Sequence, residues 1–477
     1  MIFPLIKKKS ILNFVDNKVF LEVFCFLIML FTVIFWLTNF VVGAIFFVTL
    51  SIIILLLFWD LKLVIPIILN CIFIVSPNFV FDGSFDANYL LLFIAVLVFV
   101  PLLVIYFIFR GINLKRGSSK SGFLLFSIFS LLPIFWHIKL EANQQFMIFL
   151  YFVWIVYFAL YLLVLNGSDK DLLDVVVKTF TYMPILFMIE VIVATHNEYQ
   201  NYLSYMEYLS KTQEVNILSI LQFEHGANMG WGIGNEACIM LLFTLPFAFY
   251  RLIKLPLKLK FIPAISIIAG IVATIFTCSR GGYLAIPASF AGAVLIYAIY
   301  LFKGGKKKSA IAIISTCFII FVCSLILFFT TGLVDTVFKD KNNPLQSSGR
   351  FTRLYPEAWY LFTKNPRNFI FGHGMITYFD TQNRVVVFHS TFFETIAAMG
   401  IIGFFILCLH FFQKYRTTFK KFDLLAAFIL LSYITTDIYG MLDNSYHMYY
   451  YMIPLCIFMA VYERHFELEN NKIETIC

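Results

Sequence analysis

Residues 332–390 read GLVDTVFKDKNNPLQSSGRFTRLYPEAWYLFTKNPRNFIFGHGMITYFDTQNRVVVFHS. On either side the chain is strongly apolar, with a run at 310–331 before the stretch and TFFETIAAMGIIGFFILCL from residue 391 after it. Seven side chains within it are basic: Lys339, Lys341, Arg350, Arg353, Lys364, Arg367 and Arg384. Charges and unpaired backbone amides cost several kcal/mol each in hydrocarbon, so the stretch cannot lie among lipid tails. It is expected to be a helical cap or cavity lining on one face of a membrane.

Composition agrees. The chain is 61% hydrophobic, 19% aromatic and 13% charged, whereas soluble domains carry about 25% charged residues. The expected fold is an all-α polytopic membrane protein of about 12–14 transmembrane helices with a helical extracytoplasmic loop. Candidate spans fall at 19–40, 41–59, 63–77, 89–109, 123–138, 146–165, 175–194, 236–252, 261–278, 283–302, 310–331, 391–412, 423–440 and 449–463. The first has spanning length and no small-residue cleavage site, so it is expected to stay as a helix. No internal repeat is visible, and the simplest organisation is one membrane domain over 1–477 with two outer polar segments, 195–235 and 332–390.

The basic clusters orient this arrangement. With a cytoplasmic N-terminus, those at 7–9, 110–120, 251–260, 303–308 and 414–421 all fall inside, which places both termini in the cytoplasm. The net charge of +8 is explained by these short loops rather than by nucleic-acid binding. The 332–390 loop falls outside and breaks the charge rule, so its basic residues need another reason to exist. The nine cysteines lie mostly within apolar runs and show no CxxC spacing, as small core hydrophobes do.

Three constellations could carry chemistry. In TCSRGGYLA (277–285), Arg280 sits where two apolar runs meet, with Ser279 before it and Gly281 and Gly282 expected to turn the chain. An arginine at membrane depth either snorkels to the interface or faces a cavity or anion. In SSGRFTRLYPEAWYLF, the spacing of Leu354, Ala358, Leu361 and Phe362 predicts an amphipathic helix bearing Arg350 and Arg353. Those arginines suit lipid headgroups or a phosphate that their planar forks can grip. In FHSTFFETIAAMGIIGFF, His389 precedes the twelfth span and is either an interfacial polar residue or a general base. Glu394 lies about 140° around that helix from His389. It is expected to pair with another helix, and Gly400 and Gly403 to admit a close neighbour. A weaker signal is FEHGANMGWGIGNEACIM, where Glu224, His225, Asn228, Asn235 and Glu236 flank a glycine-rich run that is either an ordinary loop before a helix or a loop lying against something flat, such as sugar or lipid.

The order of these motifs, SRGG at a span end, a long outer loop holding GR and then GHG, and HS leading into a helix with GIIG, resembles the O-antigen ligase and O-antigen polymerase superfamily of bacterial envelope proteins. The resemblance is best from about residue 226 to 412, with GIGN before the eighth span also similar. It implies functional roles for Arg280, Arg350 and His389, although Ser390 stands where the family usually has Asn. His373, within the glycine turn, is read as structural.

The implied function is metal-independent, inverting glycosyl transfer at the outer face of the bacterial plasma membrane, from an undecaprenyl-diphosphate-linked glycan to an acceptor hydroxyl. Arg280 and Arg350 would meet the charge of the leaving diphosphate, and His389 would take the acceptor's proton. Arg353, Ser279, Asn235 and Glu394 are the expected substrate-binding residues. No metal or cofactor is expected: the one Asp-x-Asp pair, Asp169 and Asp171, falls in an expected inside loop. The partners are the lipid-linked glycan, a glycan or lipid acceptor, the bilayer, and a flippase and chain-length regulator. Polymerisation of surface polysaccharide is favoured, with ligation to a lipid A core or protein as the alternative. A transporter or flippase is a rival of another class, but should place ionisable residues in the spans of both halves.

Overall fold

A computed structural model describes residues 17–76, 98, 100–109, 111, 113, 116–137, 151–169, 171–208, 228–277, 279–330, 350–375 and 388–474. Glu224, His225, Lys339, Lys341, Arg384 and the 7–9 cluster lie outside the described residues. The helices are α1 (Lys18–Thr38), α2 (Phe40–Phe58), α3 (Val64–Cys71), α4 (Val100–Phe109), α5 (Lys120–Leu131), α6 (Val153–Gly167), α7 (Leu172–Tyr208) and α8 (Gly234–Lys254). They continue with α9 (Phe261–Phe276), α10 (Arg280–Lys303), α11 (Lys307–Thr330), α12 (Tyr355–Thr363), α13 (Pro366–Phe371), α14 (Thr391–Phe419), α15 (Leu424–Leu442) and α16 (Tyr449–Glu474). No strand occurs among the described residues.

Eight of these helices, α1, α2, α7, α8, α9, α10, α14 and α15, are long and apolar enough to cross a membrane. Their surfaces require one. Helix α1 buries Leu21, Cys25, Ile28, Met29, Thr32, Val33 and Trp36, yet leaves Val23, Phe26, Leu27, Leu30, Ile34 and Leu37 exposed. Each such side chain left in water forgoes roughly 1.5–3 kcal/mol of burial. Lipid removes that penalty, and the protein is an all-α, multi-pass membrane protein.

The chain divides into two compact units, each discontinuous in sequence. The first takes its described residues from 1–110, 171–339 and 423–435; the second from 111–170, 340–422 and 436–477.

In the first unit, α7 packs on α1, α8 and α9. Sequence reading ends this span at residue 194, but the helix continues through Tyr208. Polar side chains from residue 195 onward end the apolar run without ending the helix, whose backbone hydrogen bonds are internal. Side-chain ties join the helices of this unit. Glu22 accepts from Tyr182 at 2.8 Å and Arg251 at 2.7 Å, and Ser432 donates to the Phe243 carbonyl at 2.7 Å.

In the second unit, α14 packs on α5, α12 and α13, and α6 packs on α16. Helix α14 is broken at Gly400, whose φ of 64° and ψ of −158° are non-helical. At the break the carbonyls of Ala397 and Ala398 accept the backbone amides of His373 at 2.7 Å and Gly374 at 3.1 Å. Gly372, at φ 84°, lies so close that a Cβ there would sit 2.2 Å from the Ala398 oxygen. The GHG turn and the first glycine of GIIG are thus two halves of one joint, and Gly400 breaks the helix rather than admitting a neighbouring span.

Candidate active site

The joint fixes α12 and α13 against the start of α14, and that start carries His389. Ser390 caps α14 by accepting from the Phe393 amide at 3.5 Å. Glu394 reaches back from the first turn to accept the Phe388 amide at 2.9 Å. Glu394 therefore ties down the residue preceding His389, in place of the expected partner on another helix. His389 is held at φ 49°, a left-handed conformation that costs a non-glycine residue roughly 1–2 kcal/mol. From α12, Tyr355 donates to the His389 carbonyl at 3.4 Å and stacks on Phe393 with ring centroids 4.2 Å apart. Burial pushes the Tyr355 phenol up, Arg350 opposes this and Asp443 adds to it, so the hydroxyl stays a donor.

This strained turn brings the imidazole onto a residue that sequence reading missed. His389 Nδ1 lies 3.1 Å from Oδ1 of Asp443, which follows the last residue of α15 and is 3% exposed. The same oxygen accepts the Asn444 amide at 2.9 Å, while Oδ2 lies 3.4 Å from Arg350 Nη2. Arg350 Nη1 donates to the Leu442 carbonyl at 2.7 Å, the end of α15 where a cation is favoured by the helix dipole. A carboxylate only accepts, so Nδ1 carries the proton and Nε2 presents its lone pair. His389 keeps about a third of its side chain exposed and Arg350 about a fifth. Among the described residues Arg350 uses two of its five N–H groups, on Asp443 and Leu442, which leaves three for a ligand. The signal that could have found Asp443 is its place between the expected spans 423–440 and 449–463, a connection that the alternation of spans puts on the same side as the 332–390 loop.

Arg350 opens a π-helical turn, Arg350–Leu354, that leads into α12. The amphipathic helix expected here buries Ala358, Leu361 and Phe362, and Arg353 is exposed.

Arg280, Ser279 and Asn235 belong to the first unit. Arg280 is the first residue of α10 and is half-buried. Ser279 caps the helix, accepting from the Gly282 amide at 3.2 Å and donating to Asn235 Oδ1 at 2.7 Å. Gly281 and Gly282 are helical rather than turning the chain, and a Cβ on Gly282 would meet Cys238 Sγ at 2.2 Å. Among the described residues the Arg280 guanidinium has no hydrogen bond or ion pair. A helix N-terminus is the end of the dipole that repels a cation, so guanidinium and helix end both offer positive potential to an anion. Also among the described residues, no group of three His, Cys, Asp or Glu side chains is placed to hold a metal.

Fold and site together define a polytopic membrane protein with a histidine–aspartate pair beside an arginine. Residues 265–408 match the family model described as O-antigen ligase, a stretch that includes Arg280, Arg350 and His389 and stops short of Asp443. The match supports the O-antigen ligase and polymerase superfamily that the motifs imply. A search of curated proteins finds no match to the chain.

Proposed function

We propose that this protein transfers a glycan from an undecaprenyl-diphosphate carrier to an acceptor hydroxyl on the outer face of the plasma membrane, with inversion at the anomeric carbon. The observation that carries the reading is the His389–Asp443–Arg350 arrangement, a base, its orienting carboxylate and a cation with donors to spare.

The acceptor hydroxyl gives its proton to His389 Nε2 as its oxygen attacks the anomeric carbon. Asp443 stabilises the imidazolium that forms. The bond from the anomeric carbon to the diphosphate oxygen breaks, and the departing undecaprenyl diphosphate takes the electron pair. Arg350 and Arg280 meet that charge as bidentate donors. Arg353, Ser279 and Asn235 are the remaining proposed substrate contacts.

Polymerisation of lipid-linked repeat units is the reading we favour, on the HST form of the histidine motif and the length of the 195–235 segment. Ligation to a different acceptor is the second reading, favoured by the description of the matching family model. Purified protein given lipid-linked repeat units alone separates them, since a polymerase makes a ladder without added acceptor. In the same assay His389→Ala and Arg280→Ala are expected to reach the membrane at normal levels and transfer no glycan, while Lys258→Ala transfers normally. Full transfer by His389→Ala overturns the mechanism.

A further inference from the structure

Inside the first unit a carboxyl group is buried that has no ionic partner among the described residues. Glu190, on α7, is 0% exposed. Its Oε2 accepts the indole N–H of Trp231 at 2.8 Å, and among the described residues its Oε1 has no hydrogen-bond partner. A buried, half-satisfied carboxyl group is costly, and within a membrane span such a group usually has a function.

Trp231 belongs to the glycine-rich run before α8, whose described part is fastened at two points, Met229 and Trp231. It is 2% exposed, edge-on to the ring of Phe73 with centroids 4.8 Å apart and tilted against Phe187 at 5.6 Å. Two residues earlier, the Met229 carbonyl accepts the indole N–H of Trp36 at 2.8 Å, and the Met229 amide closes a turn on the Gly232 carbonyl at 2.8 Å. Two indoles therefore fasten the loop within the unit.

The loop leads without slack to Arg280. Gly234, three residues after Trp231, starts α8 so close to the turn before Arg280 that a Cβ on it would lie 2.0 Å from the Thr277 oxygen. Asn235 then accepts from Ser279, the cap residue next to Arg280. We infer that Glu190 and Trp231 form a latch that positions Arg280 through the 231–235 segment. Both are positioning residues, and the inference rests on the reading of Arg280 as a ligand of the leaving diphosphate.

The required property of Glu190 is an acceptor at that place, not a charge, so glutamine should serve. Removing the latch should displace a group that acts on the charge of the leaving group. It should therefore lower kcat and leave KM unchanged, since interactions realised only in the transition state do not affect substrate binding. An ångström of misplacement is worth up to about a hundredfold in rate.

The test is steady-state kinetics on full-length protein in nanodiscs with a lipid-linked glycan donor. The variants are Glu190→Gln, Glu190→Leu, Trp231→Phe, the Glu190→Leu/Trp231→Phe double and Arg280→Ala. The expected result is a kcat about tenfold or more below wild type for Glu190→Leu and Trp231→Phe, with KM within about twofold. The double should be no slower than the slower single, and Glu190→Gln should be near wild type. If Glu190→Leu does not assemble, Trp231→Phe, which removes the N–H and keeps an aromatic ring, decides the matter. Wild-type kcat in Trp231→Phe while Arg280→Ala is inactive overturns the latch and leaves the reading of Arg280 standing. So does loss of activity in Glu190→Gln with Trp231→Phe unaffected. Full activity in Arg280→Ala removes the role of Arg280, and the latch inference with it.

Discussion

Asp443 Oδ1 lies 3.1 Å from His389 Nδ1, and the two residues are 54 positions apart in the chain. The carboxylate is 3% exposed and has accepted contacts on both oxygens. It therefore has little freedom to do anything except fix the imidazole tautomer and support its positive form.

Replacing Asp443 by Asn keeps the shape and removes the charge. An amide can present its oxygen to Nδ1–H or its NH2 group to an unprotonated Nδ1, so the tautomer is no longer dictated. Turnover in Asp443→Asn is expected to fall about 10- to 1,000-fold, a part of the roughly 100- to 10,000-fold that general acid–base catalysis contributes. Combining it with His389→Ala should add little to the loss from His389→Ala alone, because residues acting as a unit are not additive. Single-turnover glycan transfer by the two singles and the double checks this, and independent, multiplying losses would show that Asp443 does not act through His389.

Gly400 has no substitute at its position. Its φ is 64°, and a Cβ there would lie 2.6 Å from the Ile370 carbonyl carbon and oxygen. Backbone strain and backbone overlap together should cost Gly400→Ala about 3 kcal/mol or more. The variant is expected to show a clearly lower thermal midpoint in detergent and to lose transfer as the GHG turn leaves α14. A wild-type midpoint with full activity would mean the joint can relax at no cost.

Much of this was legible in the chain. Apolar runs mark the spans, since length and charge alone decide what can cross hydrocarbon. His389 stands out as a polar residue at the edge of such a run, and Arg350 as a cation opening an amphipathic stretch inside the long polar loop. What the sequence hides is what distant segments supply. Asp443 reads as an ordinary loop residue until α15 delivers it to His389. The left-handed turn at His389 has no signature, because a glycine would be expected there and Glu394 and Tyr355 hold the histidine instead. Likewise the GIIG glycines look like a packing stripe until Gly372 and His373 are seen against them.

His447 makes stability sensitive to acid. Its Nδ1 accepts the Trp154 indole N–H at 3.4 Å, and an indole only donates, so Nε2 carries the proton and gives it to Thr395 Oγ1 at 2.9 Å. Burial pushes its pKa from 6.5 down to about 3. The unfolded chain therefore binds a proton between those values that the folded protein does not, and stability falls as pH drops from 6.5 toward 3. The slope is at most about 1.4 kcal/mol per pH unit. His447→Gln, which offers one donor and one acceptor but does not titrate, is expected to flatten that dependence. Thermal midpoints of both proteins between pH 7.5 and 4.5 check it, and parallel curves would place the acid sensitivity elsewhere.

Glu394 separates holding the histidine turn from touching the substrate. Its Oε2 accepts the Phe388 amide, and the side chain is 6% exposed. If it serves only as an acceptor for that amide, Glu394→Gln keeps the bond through its carbonyl oxygen and should remain within about threefold of wild-type turnover. Glu394→Leu leaves the buried amide unpaired, at roughly 1–3 kcal/mol, and lets the left-handed His389 relax to an ordinary backbone conformation. Turnover should then fall by about tenfold or more as the imidazole drifts from its place beside Asp443. Equal losses in the two variants would instead assign the carboxylate charge to the substrate, and wild-type turnover in Glu394→Leu would show that the turn at His389 holds without it.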